Sequence, residues 1–384
     1  MTKTTFLRIT LLLGFTSFLT DTSSEMIMPI LPFFISTLGG TALIVGLIGG
    51  LEESVSSILK VIAGYWSDKI GKRKRFVYSG YTASAVSKVF LSFSTIWQHV
   101  LILKPIERIG KGLRTAPRDA IIADYTDKEI RGKAFGLHRT LDTGGAILGS
   151  TLALILFWFM GLEFSTIIFI GAIIAVLALI PLYPVKEKKT EPKKTNWKVS
   201  FTNLPTSLRL FIVIASLFSL GNFTYMFYIL RAEQLFTGRL AFAAPILLYI
   251  WFNIIFAAFS TPSGMLSDKI GRRSVLLIGY SLFGLTTLLF ALPPSLISLV
   301  ILFALYGLVF ALTEGNQRAL VSDLAPKKLR GTSLGTFHTA IGLVSLPSGL
   351  IAGTLWQFVG PSATFFFGSG CGFLAASLFL LKKL

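Results

Sequence analysis

Apolar runs of membrane-crossing length, parted by short polar and mostly basic stretches, fill the chain from end to end. Such runs begin near Ile9, Thr41, Phe76, Ser165, Leu210, Phe242, Val275, Leu296, Thr332 and Ser362, and each offers the ~20 mostly apolar residues that one helix needs to cross the hydrocarbon core. Two further stretches, 98–122 and 133–158, are less plain, because the first carries Lys104, Glu107, Arg108, Lys111, Arg114, Arg118 and Asp119. Parity brings it in. The loops at 67–75 and 123–133 are both rich in Lys and Arg, so both belong on the cytoplasmic side, and an even number of crossings separates them. Stretch 76–96 is one crossing, which makes 98–122 the other. The presumed outer turns near 37–41, 160–163, 292–295 and 357–361 hold no Lys or Arg. The pattern predicts an all-α integral membrane protein of twelve transmembrane helices, with both termini cytoplasmic.

The polar punctuation repeats. Gly64-Tyr-Trp-Ser-Asp-Lys-Ile-Gly-Lys-Arg-Lys-Arg75 returns as Gly264-Met-Leu-Ser-Asp-Lys-Ile-Gly-Arg-Arg-Ser274, an offset of 200 residues, and Ala123-Asp124 through Gly136 aligns with Ser322-Asp323 through Gly335 at an offset of 199. Two motifs at nearly one offset mean that a whole half is repeated. The one long polar stretch, Lys186-Glu-Lys-Lys-Thr-Glu-Pro-Lys-Lys-Thr-Asn196, falls at mid-chain. The expected organisation is therefore two pseudo-symmetric six-helix bundles, 1–185 and 208–384, joined by a cytoplasmic linker at 186–207. Lys3 and Arg8 before an apolar run resemble a signal peptide, but the run continues through Asp21 and Glu25 with no small-residue cleavage site.

Composition agrees: 53% of residues are hydrophobic, 34 are Phe, 14% are charged and the mean hydropathy is +0.72. A net charge of +18 would suit nucleic acid, but the basic residues alternate with spans and form no basic domain, so the charge is topological and no nucleic-acid partner is expected. Cys371 is the single cysteine, which rules out an intrachain disulfide and a thiolate metal site. There is no Gly-x-x-x-x-Gly-Lys-Ser/Thr loop for ATP, no zincin motif and no Gly-x-Ser-x-Gly elbow. The chain reads as no enzyme, with no cofactor and no metal.

Charges inside spans are costly and normally face a water-filled cavity or a partner. On the fourth predicted helix Lys104, Glu107, Arg108, Lys111, Arg114 and Arg118 fall on one stripe. Arg118 is expected to reach the cytoplasmic headgroups; for Arg114 headgroup and cavity are both open, and Arg108 lies too deep for the headgroups. The first helix puts Ser17, Asp21, Ser24, Glu25 and Met28 on one face. Two carboxylates one turn apart in low dielectric share a proton more cheaply than they bear two charges, which suggests proton coupling; a static ion pair with Arg108 or Lys111 is the plainer reading. Glu52, Glu53, Lys60, Lys88, His138, Arg139, Asp142, Glu314 and Arg318 are further charges within spans, Lys88 being read as a structural ion-pair partner. His138 and Asp142, one turn apart, could pass a proton. Asp21, Glu25, Arg108 and Asp142 form the expected coupling set. The second half has few buried charges and instead offers Asn222, Tyr225, Tyr228, Trp251 and Asn253 among other aromatics, a wall suited to an amphipathic solute, although each ring taken singly is as well explained by packing.

Over its whole length the chain resembles the major facilitator superfamily of transporters. The family's loop motif, Gly-x-Leu-Ala-Asp-Arg-x-Gly-Arg-Lys/Arg, is matched by Gly64, Asp68, Gly71, Lys72 and Arg73 and again by Gly264, Leu266, Asp268, Gly271, Arg272 and Arg273, with Trp66, Ser67, Ser267, Lys69 and Lys269 as departures. Arg108-Ile-Gly-Lys-Gly112 resembles the family's Arg-x-x-Gln-Gly, with Lys111 in place of Gln. Asp142-Thr-Gly-Gly-Ala-Ile-Leu-Gly149 faintly resembles its glycine-rich antiporter motif without the proline; Gly144, Gly145 and Gly149 also suit close helix packing. The resemblance implies alternating access in the cell (inner) membrane by a monomer, with the duplicated loop acting as a gate latch through Asp68 and Asp268. Proton-coupled export of an amphipathic organic compound is the leading expectation. Uptake of an organic anion held by Arg108, Lys111 and Arg139 is the rival, and a non-transporting membrane sensor or assembly factor is the alternative of another class.

Overall fold

The computed structural model describes residues 3–126, 131–185, 187, 204–326 and 329–381. Most of the linker expected at 186–207 lies outside these residues, as does the centre of the basic loop at 123–133. Among the described residues the chain is helical and has no strand. The first half comprises α1 (Lys3–Ile27), a 3-10 turn (Met28–Ile30), α2 (Leu31–Thr37), α3 (Ala42–Ile70), α4 (Arg73–Ser92), α5 (Trp97–Asp124), α6 (Arg131–Trp158) and α7 (Phe164–Leu177). The second comprises α8 (Thr206–Gly221), α9 (Met226–Glu233), α10 (Leu240–Ile270), α11 (Arg272–Ala291), α12 (Leu296–Leu324), α13 (Arg330–Phe358) and α14 (Pro361–Leu381). α1 with α2, and α8 with α9, each make one interrupted crossing, so the crossings among the described residues number twelve.

Eight of them are long and apolar enough to be recognised by hydropathy. α5 is not among these, yet its 28 residues run from Trp97 to Asp124 as parity requires. Pro29 and Pro32 flank the break in the first crossing, where a missing N–H and a ring clash end the regular ladder. The seventh crossing opens between Gly221 and Met226 without a proline.

Two compact units form: Met1–Gly39 with Val55–Trp197, and Gly40–Ser54 with Lys198–Leu384. The helix α3 is thus divided between them. In the first unit α1 packs along α6 and α7, and α4 along α5 and α7; in the second, α8 packs on α13 and α14, and α11 on α12 and α14. Those pairings are the same ones shifted by half a chain, so the sequence repeat is a repeat of packing.

Glycine sets the closest helix approaches. A Cβ on Gly145 or Gly149 would run into the backbone carbonyl of Phe18 or Thr22 on α1, and one on Gly80 would lie 2.6 Å from the Gly110 carbonyl oxygen on α5. Gly144 has only the Phe18 ring nearby, at 3.7 Å. Small residues let backbones meet where lipid offers no hydrophobic drive.

Candidate functional site

The duplicated loops come first, since the chain's turns place them. Gly71 (φ 70°) and Gly271 (φ 89°) sit in the left-handed region that favours glycine. After Gly71 one extra residue, Lys72, precedes α4, whereas α11 begins directly at Arg272. The offset between halves therefore falls from 200 to 199 at this turn. The partner of Arg73 in the repeat is consequently Arg272, not the Arg273 that motif alignment suggests. Arg73 donates to Asp68 at 2.7 Å and to Asp124 at the end of α5. Arg272 repeats this with Asp268 at 3.1 Å and Asp323 at 2.7 Å. One residue on, Lys74 donates to the Tyr183 carbonyl after α7 at 2.9 Å, and Arg273 to the Phe379 carbonyl in α14 at 2.9 Å. Lys72 is exposed, Gly64 rests near Ala116 of α5, and Gly264 has nothing close. Each latch aspartate is thus engaged by an arginine of its own loop.

The first unit encloses a layer of charge. Lys88 of α4, fully buried, donates to Ser23 Oγ (3.0 Å) and Ser24 Oγ (2.8 Å) of α1 and lies 3.8 Å from Glu107 of α5. Glu107 also takes Lys104 at 2.5 Å. The structural ion pair expected of Lys88 is present. Arg114 stacks over Tyr81 at 4.5 Å and donates to Ser84 Oγ at 2.6 Å, both on α4. Arg118 was expected at the headgroups; instead it turns inward, donating to Ser17 Oγ of α1 at 2.7 Å and pairing with Asp119 at 3.0 Å. Ser17 completes the link by sharing a hydrogen bond with Tyr81 at 2.9 Å. An inward turn satisfies the guanidinium locally, which the distance along the helix could not reveal.

Asp21, half-buried on α1, has among its charged neighbours Asp142 of α6 and the cations Lys111, Arg114, Arg118 and Lys88. Asp142 acts on Asp21, brought in by the close α1–α6 contact at Gly145 and Gly149; Glu25, one turn on, has its Cβ beside Gly149. His138 stands 3.4 Å from Asp142, while His138 Nε2 and Asp142 Oδ1 are buried atoms without a hydrogen bond. Arg139 is exposed beside Asp142. Arg108 is buried next to Glu107 and Lys111.

In the second unit Glu52 is buried and Glu53 exposed, both on the first half of α3. Glu314 and Arg318 pair with one another at 2.9 Å on an exposed face of α12. Tyr228 is 1% exposed and stacks on Tyr306 at 4.0 Å within a closed ring cluster of Phe223, Phe290 and Phe365, so it belongs to the core. Tyr225 packs on Tyr249; Asn253 bonds back to the Tyr249 carbonyl; Trp251 donates to the Val300 carbonyl of α12. Asn222 stands at the α8–α9 break with a buried side-chain oxygen unbonded. Sequence reading missed Tyr81, Ser84 and Arg231, and gave Asp124 and Asp323 no role beyond the repeat. Tyr81, Ser84 and Lys88 share one face of α4, a signal available from spacing. Arg231, which caps the end of α11 through the carbonyls of Phe290, Ala291 and Leu292, had none.

Twelve helical crossings in two repeated halves, with a buried charge layer, define a multi-pass membrane transporter. The sequence model of the Major Facilitator Superfamily matches residues 13–249 and 240–383, and the chain belongs to that family. It is 52% identical over 373 residues to an MFS-type transporter of Methanocaldococcus jannaschii, covering 96% of this chain and 93% of the relative. It is 25% identical over 328 residues to the multi-drug resistance efflux pump PmrA of Streptococcus pneumoniae, covering 82% and 80%. A mutant of the nucleoside transporter NupG shares the fold at a TM-score of 0.83 with 16% identity, over 97% of this chain and 99% of that one.

Proposed function

We propose that this transporter is secondary active and couples proton entry to export of an amphipathic organic compound, with the proton held by the Asp21–Asp142 pair. The observation that carries the reading is the meeting of these two carboxylates from α1 and α6 amid Lys111, Arg114 and Arg118. Two carboxylates in one low-dielectric site hold a shared proton at less cost than two full charges. When the proton leaves, the cations around the pair compensate; when it returns, they are released to other partners. His138, 3.4 Å from Asp142 with a spare ring nitrogen, is placed to pass the proton. Export is supported by the likeness to a multi-drug efflux pump. The basic loops favour the cell membrane with both termini cytoplasmic, and the gate role of the duplicated loops is supported by their repeated arginine–carboxylate clamps.

The test uses proteoliposomes carrying an internal pH dye, challenged with ethidium, tetraphenylphosphonium or benzoate under an imposed pH gradient. Wild type should move protons with at least one probe, and Asp21→Asn and Asp142→Asn should each cut that flux roughly tenfold or more, equivalent to ~1.4 kcal/mol. Wild-type flux in both variants and in the double variant would sink the proposal. Uptake of an organic anion is a second reading, favoured by the cations around Lys111; the direction of probe movement in oriented vesicles separates the two.

A further inference from the structure

The chain departs from its family where the site is most positive. The family's fourth-helix motif has a glutamine at the position of Lys111, so a neutral amide has become an ammonium. Lys111 lies about midway along α5 and is exposed, although Glu107, Arg108 and Arg114 on the same stripe are buried. Its leading charged neighbours are Arg108, Asp21, Arg114 and Lys60 of α3.

Neither the Lys111 nor the Lys60 ammonium has an ion pair or hydrogen bond with any described residue; the Lys111 carbonyl accepts from Thr115 within α5. The other buried cations have partners of their own: Lys88 and Lys104 share Glu107, Arg118 takes Asp119, and Arg114 takes Ser84 and the Tyr81 ring. Asp21 is divided among Lys111, Arg114, Arg118 and Lys88 and opposed by Asp142.

An ammonium at mid-span with no carboxylate in direct contact is costly and marks a pathway. Low-dielectric walls lined by charge of one sign concentrate the opposite charge from solution. The missing anion is therefore one that comes and goes. A guanidinium fork beside two compact ammonium groups suits carboxylate and phosphate alike.

We infer that Lys111, with Lys60 and Arg108, forms an anion-binding subsite, so that the transported compound carries a carboxylate or phosphate group. This rests on the reading of the chain as a transporter of organic compounds and deepens it; it does not need proton coupling.

The experiment is thermal unfolding of the purified full chain in detergent with matched probes: benzoate, phenyl phosphate, benzamide and benzylammonium. Benzoate, phenyl phosphate or both should stabilise the protein, and the neutral and cationic probes should not. Lys111→Gln, which restores the family's residue, should weaken anion binding by about tenfold or more, as for loss of a charged hydrogen bond. Lys60→Gln should weaken it less, Lys111→Arg should keep it, and Arg239→Gln, at the exposed turn before α10, should leave it unchanged. Probe-free midpoints of all variants identify any folding defect, and Lys111→Arg preserves the test if Lys111→Gln is unstable. The inference is overturned by equal stabilisation with benzylammonium, by no stabilisation with either anion, or by unchanged anion binding in both Lys111→Gln and Lys60→Gln. Anion binding in a protein without gradient-driven flux would leave the subsite standing while proton coupling fell. Flux without anion selectivity would do the reverse.

Discussion

Glu107 serves two buried ammonium groups at once, Lys104 at 2.5 Å and Lys88 at 3.8 Å. Taking away the single acid leaves both cations uncompensated, and breaking a buried pair typically costs ~3–5 kcal/mol. Glu107→Gln should therefore lower the midpoint of thermal unfolding well below that of Lys88→Met, which leaves Lys104 and Glu107 as a neutral pair. Equal midpoints for the two variants would show that the glutamate is not what holds α4 to α5. The stripe on α5 that holds Lys104 and Glu107 was legible from spacing alone. That Lys88 reaches Ser23 and Ser24 was not, because a residue's spacing within one helix carries no information about which neighbour it faces.

Helix contacts in the first unit depend on backbones that touch. Gly149 has no room for a side chain against the Thr22 carbonyl, whereas Gly136, on the same helix, has nothing within 4 Å. Gly149→Leu should abolish the folded protein in a detergent size-exclusion profile, and Gly136→Ala should be neutral or stabilising by ~0.5–1 kcal/mol, since glycine in a helix interior is unfavourable. A normal profile for Gly149→Leu would mean that α1 and α6 stand further apart than described. The loops add a graded comparison. The Arg73 side chain is 9% exposed, against 28% for Arg272, and its carboxylates are also the better buried. Exposed pairs contribute ~0–1 kcal/mol and buried ones more. Arg73→Ala should thus lower stability and raise labelling of a cysteine placed at Ser24, in a background lacking Cys371, by more than Arg272→Ala does. A larger effect from Arg272→Ala would reverse the assignment of the dominant clamp.

At the scale of the molecule the helix packing and the loop clamps repeat, whereas the chemistry of the helix interiors does not. The first unit buries charge; the second buries stacked rings such as Tyr228 on Tyr306, and its pair Glu314–Arg318 is exposed. Coupling should accordingly survive Glu314→Gln with Arg318→Gln and fail in Asp142→Asn, measured as proton flux in the same proteoliposomes. Loss of flux in the double variant would move the coupling site into the second unit. Basic loops on one side predict that reporters fused to the two termini both read as cytoplasmic; an external C-terminal reporter would overturn the count of crossings.

Fold class, crossing number and duplication were determined by the sequence itself, since spans about 20 residues long, loop charge and two motifs at nearly one offset depend on local chemistry and chain order. Even α5, which hydropathy passes over, followed from parity. What the tertiary structure decided were the meetings between helices. It brought Asp142 to Asp21, turned Arg118 inward to Ser17, closed Tyr228 into the core and shifted the repeat by one residue so that Arg272 answers Arg73. Each depends on how far one helix is rotated and how closely it approaches another. Those quantities are set by glycine contacts and turn geometry summed over both partners, and one strand of residue letters does not contain them.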